Sequence, residues 1–208
     1  MITGQAAAVP ALTSLGVFGG SFNPPHRGHQ DLVRSLVDQA LVDEIWVVPV
    51  YEHPFGKELA PFEDRLAMCR IAFAGHGERV RISDLERTLG GQSFTVRTLE
   101  ELHRLRPLDE LVLVVGADAR RDFPHWRDFD RVQALARLLV APRRGERDEG
   151  LSPIPAPADA SSTEVRRRLA RGEPTDGLLD PAVRSYAIEH ALYDDEGARG
   201  SRRQGEDR

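Results

Sequence analysis

Apolar positions fall along this chain in short blocks of two kinds that alternate. Leu15-Gly16-Val17-Phe18-Gly19-Gly20, Ile45-Trp46-Val47-Val48-Pro49, Val80-Arg81-Ile82-Ser83, Leu111-Val112-Leu113-Val114-Val115 and the run from Ala136 to Val140 are brief and mostly apolar. The longest is continuous and β-branched, as a strand buried on both faces requires. Between the runs the apolar residues take a helical period. Gly28 to Leu41 carries Leu32, Val33, Leu36, Val37, Ala40 and Leu41 on one face, and Phe62 to Ala74 carries Leu66 and Ile71. Thr95 to Arg104, Phe129 to Ala136, Thr163 to Ala170 and Pro181 to His190 predict four more helices. This order predicts a single α/β domain over 13–193, a doubly wound parallel sheet with helices on both faces. Such sheets bind ligands beyond the carboxyl ends of their strands, where the strand order reverses. Residues 51–61 and 142–158 read as loops, 1–12 as a disordered leader and 194–208 as a disordered tail.

Composition narrows the class of protein. Apolar residues are 40% and charged residues 29% of 208, a balance that suits a globular domain. The formal charge of -5 disfavours nucleic acid as a partner. One cysteine excludes an internal disulfide, and Cys69, inside a helical pattern, reads as a buried structural thiol. No apolar run approaches the roughly 20 residues of a membrane span, and no basic-then-apolar leader is visible, so the expected location is the cytoplasm with no membrane partner.

The candidate chemistry begins after the first strand, in Gly19-Gly20-Ser21-Phe22-Asn23-Pro24-Pro25-His26-Arg27-Gly28-His29. The segment has neither the G-x-G-x-x-G spacing nor the Gly-Lys-Ser/Thr of a P-loop. It has two glycines that let backbone approach a ligand, two stiffening prolines, and histidines three apart at a helix start, with Gly28 leaving room beside the backbone. That is a plausible polyphosphate cradle, although spacing alone fits helix-capping or surface histidines equally well. A metal pair lacks a third ligand. The second candidate is Ser161-Ser162-Thr163-Glu164-Val165-Arg166. Ser161 and Glu164 make a capping box, and Ser162, Thr163 and Arg166 add hydroxyls and a guanidinium fork suited to an anion.

The loop with His26-x-Gly28-His29 and the Ser161-Ser162-Thr163-x-x-Arg166 segment together resemble the two hallmarks of the nucleotidyltransferase superfamily, whose fold is Rossmann-like. The resemblance implies that His26 and His29 contact ATP phosphates and stabilise charge there. It implies that Ser162, Thr163 and Arg166 hold the β- and γ-phosphates, making His26, His29 and Arg166 the catalytic set. Gly19, Gly20, Ser21, Phe22 and Gly28 would complete the loop around ATP. Leu113-Val114-Val115-Gly116-Ala117-Asp118 with Trp126, and Gly91-Gln92-Ser93-Phe94-Thr95, resemble segments of the bacterial nicotinate-nucleotide adenylyltransferases. By that resemblance Gly116 and Asp118 border the adenosine, Trp126 stacks on the pyridine ring, and Ser93 and Thr95 lie by the nicotinate carboxylate, with Asn23 and Lys57 as further substrate contacts. Taken alone, Trp126 also reads as a core aromatic, Ser93 or Thr95 as a helix cap, and Lys57 as a surface lysine. The implied reaction joins AMP from ATP to nicotinate mononucleotide, with Mg²⁺ arriving on ATP and no dedicated protein metal site.

Three positions depart from the family pattern: the His53-Pro54-Phe55-Gly56-Lys57 loop, Arg97 and Arg127, all on the acceptor side. Nicotinamide mononucleotide, pantetheine phosphate or another phosphorylated acceptor is therefore the alternative within enzymes, although His26 counts against the pantetheine enzyme. An inactive nucleotide-binding sensor is the alternative outside them. A zinc hydrolase and a dehydrogenase are disfavoured by the missing third ligand and the missing glycine spacing.

Overall fold

Continuous burial of the central strands on both faces organises everything else. In the computed structural model, which describes residues 13–107, 110–116, 122–142 and 158–194, five strands form one sheet: β1 (Ser14–Gly20), β2 (Glu44–Pro49), β3 (Val80–Ile82), β4 (Glu110–Gly116) and β5 (Arg137–Ala141). Their order is β3-β2-β1-β4-β5 and every pairing is parallel, with Val17 opposite both Trp46 and Leu113. The chain moves outward from β1 to β2 and β3, then crosses back to lay β4 on the other side of β1. The order therefore reverses between β1 and β4, and a crevice is expected above their carboxyl ends.

Seven α-helices stand among the described residues: α1 (Arg27–Asp38), α2 (Phe62–Phe73), α3 (Leu85–Leu89), α4 (Thr95–Leu105), α5 (Phe129–Leu135), α6 (Ser162–Ala170) and α7 (Pro181–Glu189). Phe18, Val47, Val114 and Leu139 point to one face and join Leu36, Met68, Val165 and Val183 of α1, α2, α6 and α7. Val17, Trp46 and Leu113 point to the other and join Leu85, Leu99, Leu102 and Val132 of α3, α4 and α5. The sheet is thus covered on both sides, as its near-continuous apolar strands require. Cys69 is fully buried in the first of these cores, and burial pushes its thiol pKa far up, which fits a structural role.

The helices and strands match the sequence reading to within a few residues. Strand β5 runs one residue later than expected, because Ala136 is extended backbone linking α5 to the strand. The short helix α3 and the 3₁₀ segments Ala74–Arg79 and Phe123–His125 are additions that the apolar pattern did not predict. The leader 1–12, Asp118, most of the 142–158 loop and the tail from 195 lie outside the described residues.

Candidate active site

Strand β1 delivers its last glycines to the crevice, and the chain then folds back into the core before α1 begins. Phe22 makes that reversal, in the left-handed region at φ 44, with its ring buried against Phe18 at 5.3 Å and Phe73 at 6.3 Å. Such a conformation is costly for an aromatic residue, and here packing on three sides fixes it. A Cβ on Gly20 would come within 3.0 Å of this ring. Phe22 therefore forms a floor: its ring is turned into the core, and its backbone is the part it presents at the loop. Its third neighbour is His29, at 5.0 Å. Asn23 is likewise turned inward. Its Oδ1 accepts from the Ala60 N–H at 3.0 Å, so its side chain braces the 51–61 loop instead of facing an acceptor.

His26 caps α1 and its ring stacks on that of His29, with centroids 3.7 Å apart. The backbone N–H of His26 donates to His29 Nδ1 at 3.1 Å, so neutral His29 carries its proton on Nε2 as a donor for a ligand. His26 Nδ1 is buried without a partner. Burial holds the His26 pKa down at about 4, and burial together with the neighbouring His26 holds His29 well below the usual histidine range. Both rings are thus neutral at pH 7 in the free protein.

The second motif docks directly on this loop. Ser161 caps α6 by accepting from the Glu164 N–H at 3.2 Å. The expected reciprocal half of the capping box does not form, because the Glu164 carboxylate is taken by Arg167 and Arg168. Ser162 Oγ donates to the Pro24 carbonyl at 3.0 Å, and Arg166 donates to the Asn23 carbonyl at 2.8 Å and to Thr163 Oγ1 at 3.4 Å. Gly28 is the residue that permits this close approach: a Cβ there would sit 2.9 Å from the Ala158 carbonyl oxygen. Two segments more than a hundred residues apart in sequence thus form one patch of imidazole, hydroxyl, guanidinium and helix-start N–H groups.

Beside the patch, above β1, β2 and β4, lies a cavity of about 380 Å³. Gly19, Gly20 and Ser21 line it from β1, and Gly116 from β4. Ser93, Phe94 and Thr95 line it from the start of α4, and Trp126 and Arg127 from the segment before α5. Phe123 holds Trp126 edge-on at 5.1 Å.

The chain matches the cytidylyltransferase-like family model over residues 17–168. It is 43% identical over 185 residues to a probable nicotinate-nucleotide adenylyltransferase of Anaeromyxobacter dehalogenans, spanning 86% of this chain and 96% of that relative. A Myxococcus xanthus protein of the same description is 39% identical over 186 residues, spanning 86% of this chain and 94% of its own. The chain belongs to the nicotinate-nucleotide adenylyltransferase family. It is a nucleotidyltransferase, and its fold is that of solved members. The Plasmodium falciparum nicotinic acid mononucleotide adenylyltransferase complexed with NaAD superposes with a TM-score of 0.77 at 22% identity, covering 87% of this chain and 97% of that one.

Within this family frame the acceptor-side departures sort themselves. Lys57, expected as a substrate contact, is exposed and absent from the cavity wall; His53 and Phe55 line it from that loop instead. Arg97 is spent on backbone, donating to the Leu89, Gly90 and Gln92 carbonyls at 3.0, 3.0 and 3.1 Å, so it shapes a turn and does not re-aim the pocket. Arg127 lines the cavity. Two further residues escaped the sequence reading. Arg65, 1% exposed, donates to the Ala60, Ser21 and Tyr51 carbonyls at 2.8, 3.0 and 3.4 Å and ties the loops after β1 and β2 together. Glu86, in the cavity wall, accepts from Thr98 Oγ1 at 2.9 Å and the Tyr51 N–H at 3.2 Å, and is hydrogen-bonded by Ser93; burial raises its pKa against those bonds. No local sequence signal separates either residue from the many surface charges. Among the described residues no helix is long and apolar enough to cross a membrane.

Proposed function

We propose that this chain transfers the adenylyl group of ATP to nicotinate mononucleotide, releasing pyrophosphate and nicotinate adenine dinucleotide in the cytoplasm. The observation that carries the reading is the joining of the His26–His29 loop to the start of α6 next to a cavity walled by Trp126. An oxygen of the acceptor's 5′-phosphate attacks the α-phosphorus in line. The bond from that phosphorus to the bridging oxygen breaks, and pyrophosphate leaves with the electron pair. A phosphate is already nucleophilic at neutral pH, so catalysis is positioning and charge neutralisation.

His29 offers its Nε2–H to the oxygens of the α-phosphate, and His26 backs it through the stacked ring and its own backbone N–H. Thr163, Arg166 and the first N–H groups of α6 receive the departing pyrophosphate. Gly19, Gly20, Ser21 and Gly116 let adenosine lie close to the backbone, and Trp126 offers its face to the pyridine ring. The donors of the patch, N–H and O–H groups, match phosphate oxygens and not a bare cation. Mg²⁺ would therefore arrive on ATP rather than on protein ligands, and would supply charge neutralisation there. The test is pyrophosphate release from Mg·ATP with nicotinate mononucleotide and, separately, nicotinamide mononucleotide. A much higher kcat/KM with the first is expected; release with neither would overturn the reading.

A further inference from the structure

Arg127 follows Trp126 in the cavity wall, and its guanidinium carbon lies 4.8 Å from the centre of the Phe94 ring. An exposed arginine ordinarily samples many rotamers, and a flat aromatic face narrows them. Stacking uses the face of the guanidinium and leaves its in-plane N–H groups free to meet a planar carboxylate edge-on. Among the described residues its ion-pair partner is Asp128, 3.9 Å away and largely exposed on both sides, a contact that holds little. The other basic groups of the region are disposed otherwise. Arg97 is bonded to three carbonyls, Lys57 lies outside the wall, burial with Lys57 and Arg65 lowers the pKa of His53, and His125, which also lines the wall, is an imidazole without a guanidinium fork. Arg127 is the one arginine or lysine among the described lining residues. The carboxylate of Glu86 in the same wall is already enclosed by Ser93, Thr98 and the Tyr51 N–H.

We infer that Arg127, held on the face of Phe94, recognises the carboxylate on the pyridine ring of the acceptor and sets the preference for nicotinate over nicotinamide. The inference rests on the acceptor proposed above. A carboxylate gains charge-assisted hydrogen bonds from the fork. A carboxamide brings no charge, and its NH₂ group sets donors against donors, so the same side chain attracts one substrate and disfavours the other.

The experiment is steady-state pyrophosphate release with each mononucleotide for wild type, Arg127→Gln, Arg127→Lys and Phe94→Leu, with melting curves to confirm folding. Arg127→Gln should lower the ratio of the two kcat/KM values by roughly tenfold, mainly through a raised KM for nicotinate mononucleotide. Arg127→Lys, which keeps charge without the planar fork, and Phe94→Leu, which removes the platform, should fall between. Added salt should shrink the wild-type preference, because the group is exposed. A general packing role would weaken both substrates alike. A folded Arg127→Gln protein whose ratio stays within about twofold of wild type overturns the inference alone. A wild type inert toward both mononucleotides overturns the proposed function, and this inference with it.

Discussion

His26 is buried with Nδ1 unpaired, so charging it in the free protein means placing a proton where no partner receives it. The unfolded chain binds that proton near pH 6.5 and the folded chain only near 4. Stability is therefore full above pH 6.5 and is lost as pH falls toward 4. For His26 alone the loss by pH 5 is about 2 kcal/mol, and His29, shifted the same way, adds to it. The melting temperature should drop between pH 7 and 5, and His26→Asn should flatten that drop. His29→Ala should leave the circular dichroism spectrum intact while cutting turnover by roughly 10²- to 10³-fold, the scale seen when a transition-state donor is removed. Gly28→Ala tests a different contact. Alanine is the better helix former by about 1 kcal/mol, but its Cβ meets the Ala158 carbonyl at 2.9 Å, and overpacking against backbone costs about 1–3 kcal/mol. A lower melting temperature and weaker ATP binding are the expected result.

At the scale of elements, stability and site construction share the same bonds. Arg65 on α2 holds the loops after β1 and β2 through three carbonyls. Arg65→Met keeps the volume and orphans those acceptors, a cost of about 3 kcal/mol or more in denaturant unfolding, and it should raise KM for both substrates because each loop loses its brace. These ties also mark where sequence reading stopped. Strands were legible as short continuous apolar runs and helices by their amphipathic period, whereas the His26–His29 and Ser161–Arg166 segments stood out through a family resemblance, since spacing alone left the histidines equally well read as caps or surface residues. Helix α3 has five residues, too few to express a period. The inward turn of Phe22 and Asn23, and the exclusion of Lys57 from the wall, follow from backbone direction in a loop, which composition does not encode. Arg65 and Glu86 carry no pattern at all; only their burial distinguishes them.

For the whole molecule, the doubly wound sheet makes both cores answer for one crevice. Leu99 lies under α4 on one face and Leu36 under α1 on the other, both fully buried. Truncating either to alanine should cost about 2–5 kcal/mol. Leu99→Ala should disturb the cavity beside Ser93 and Thr95 first, and Leu36→Ala the histidine loop, separable by acceptor KM against ATP KM. The joint between the β1–α1 loop and α6 has a further consequence for synthesis. Ser162 and Arg166 bond residues 138 and 143 positions earlier, so a chain emerging from the ribosome completes the β1–α1 loop long before its partners in α6 exist. A chain clipped before α6 loses both ties at once, and its ATP affinity, read by calorimetry, should fall with them.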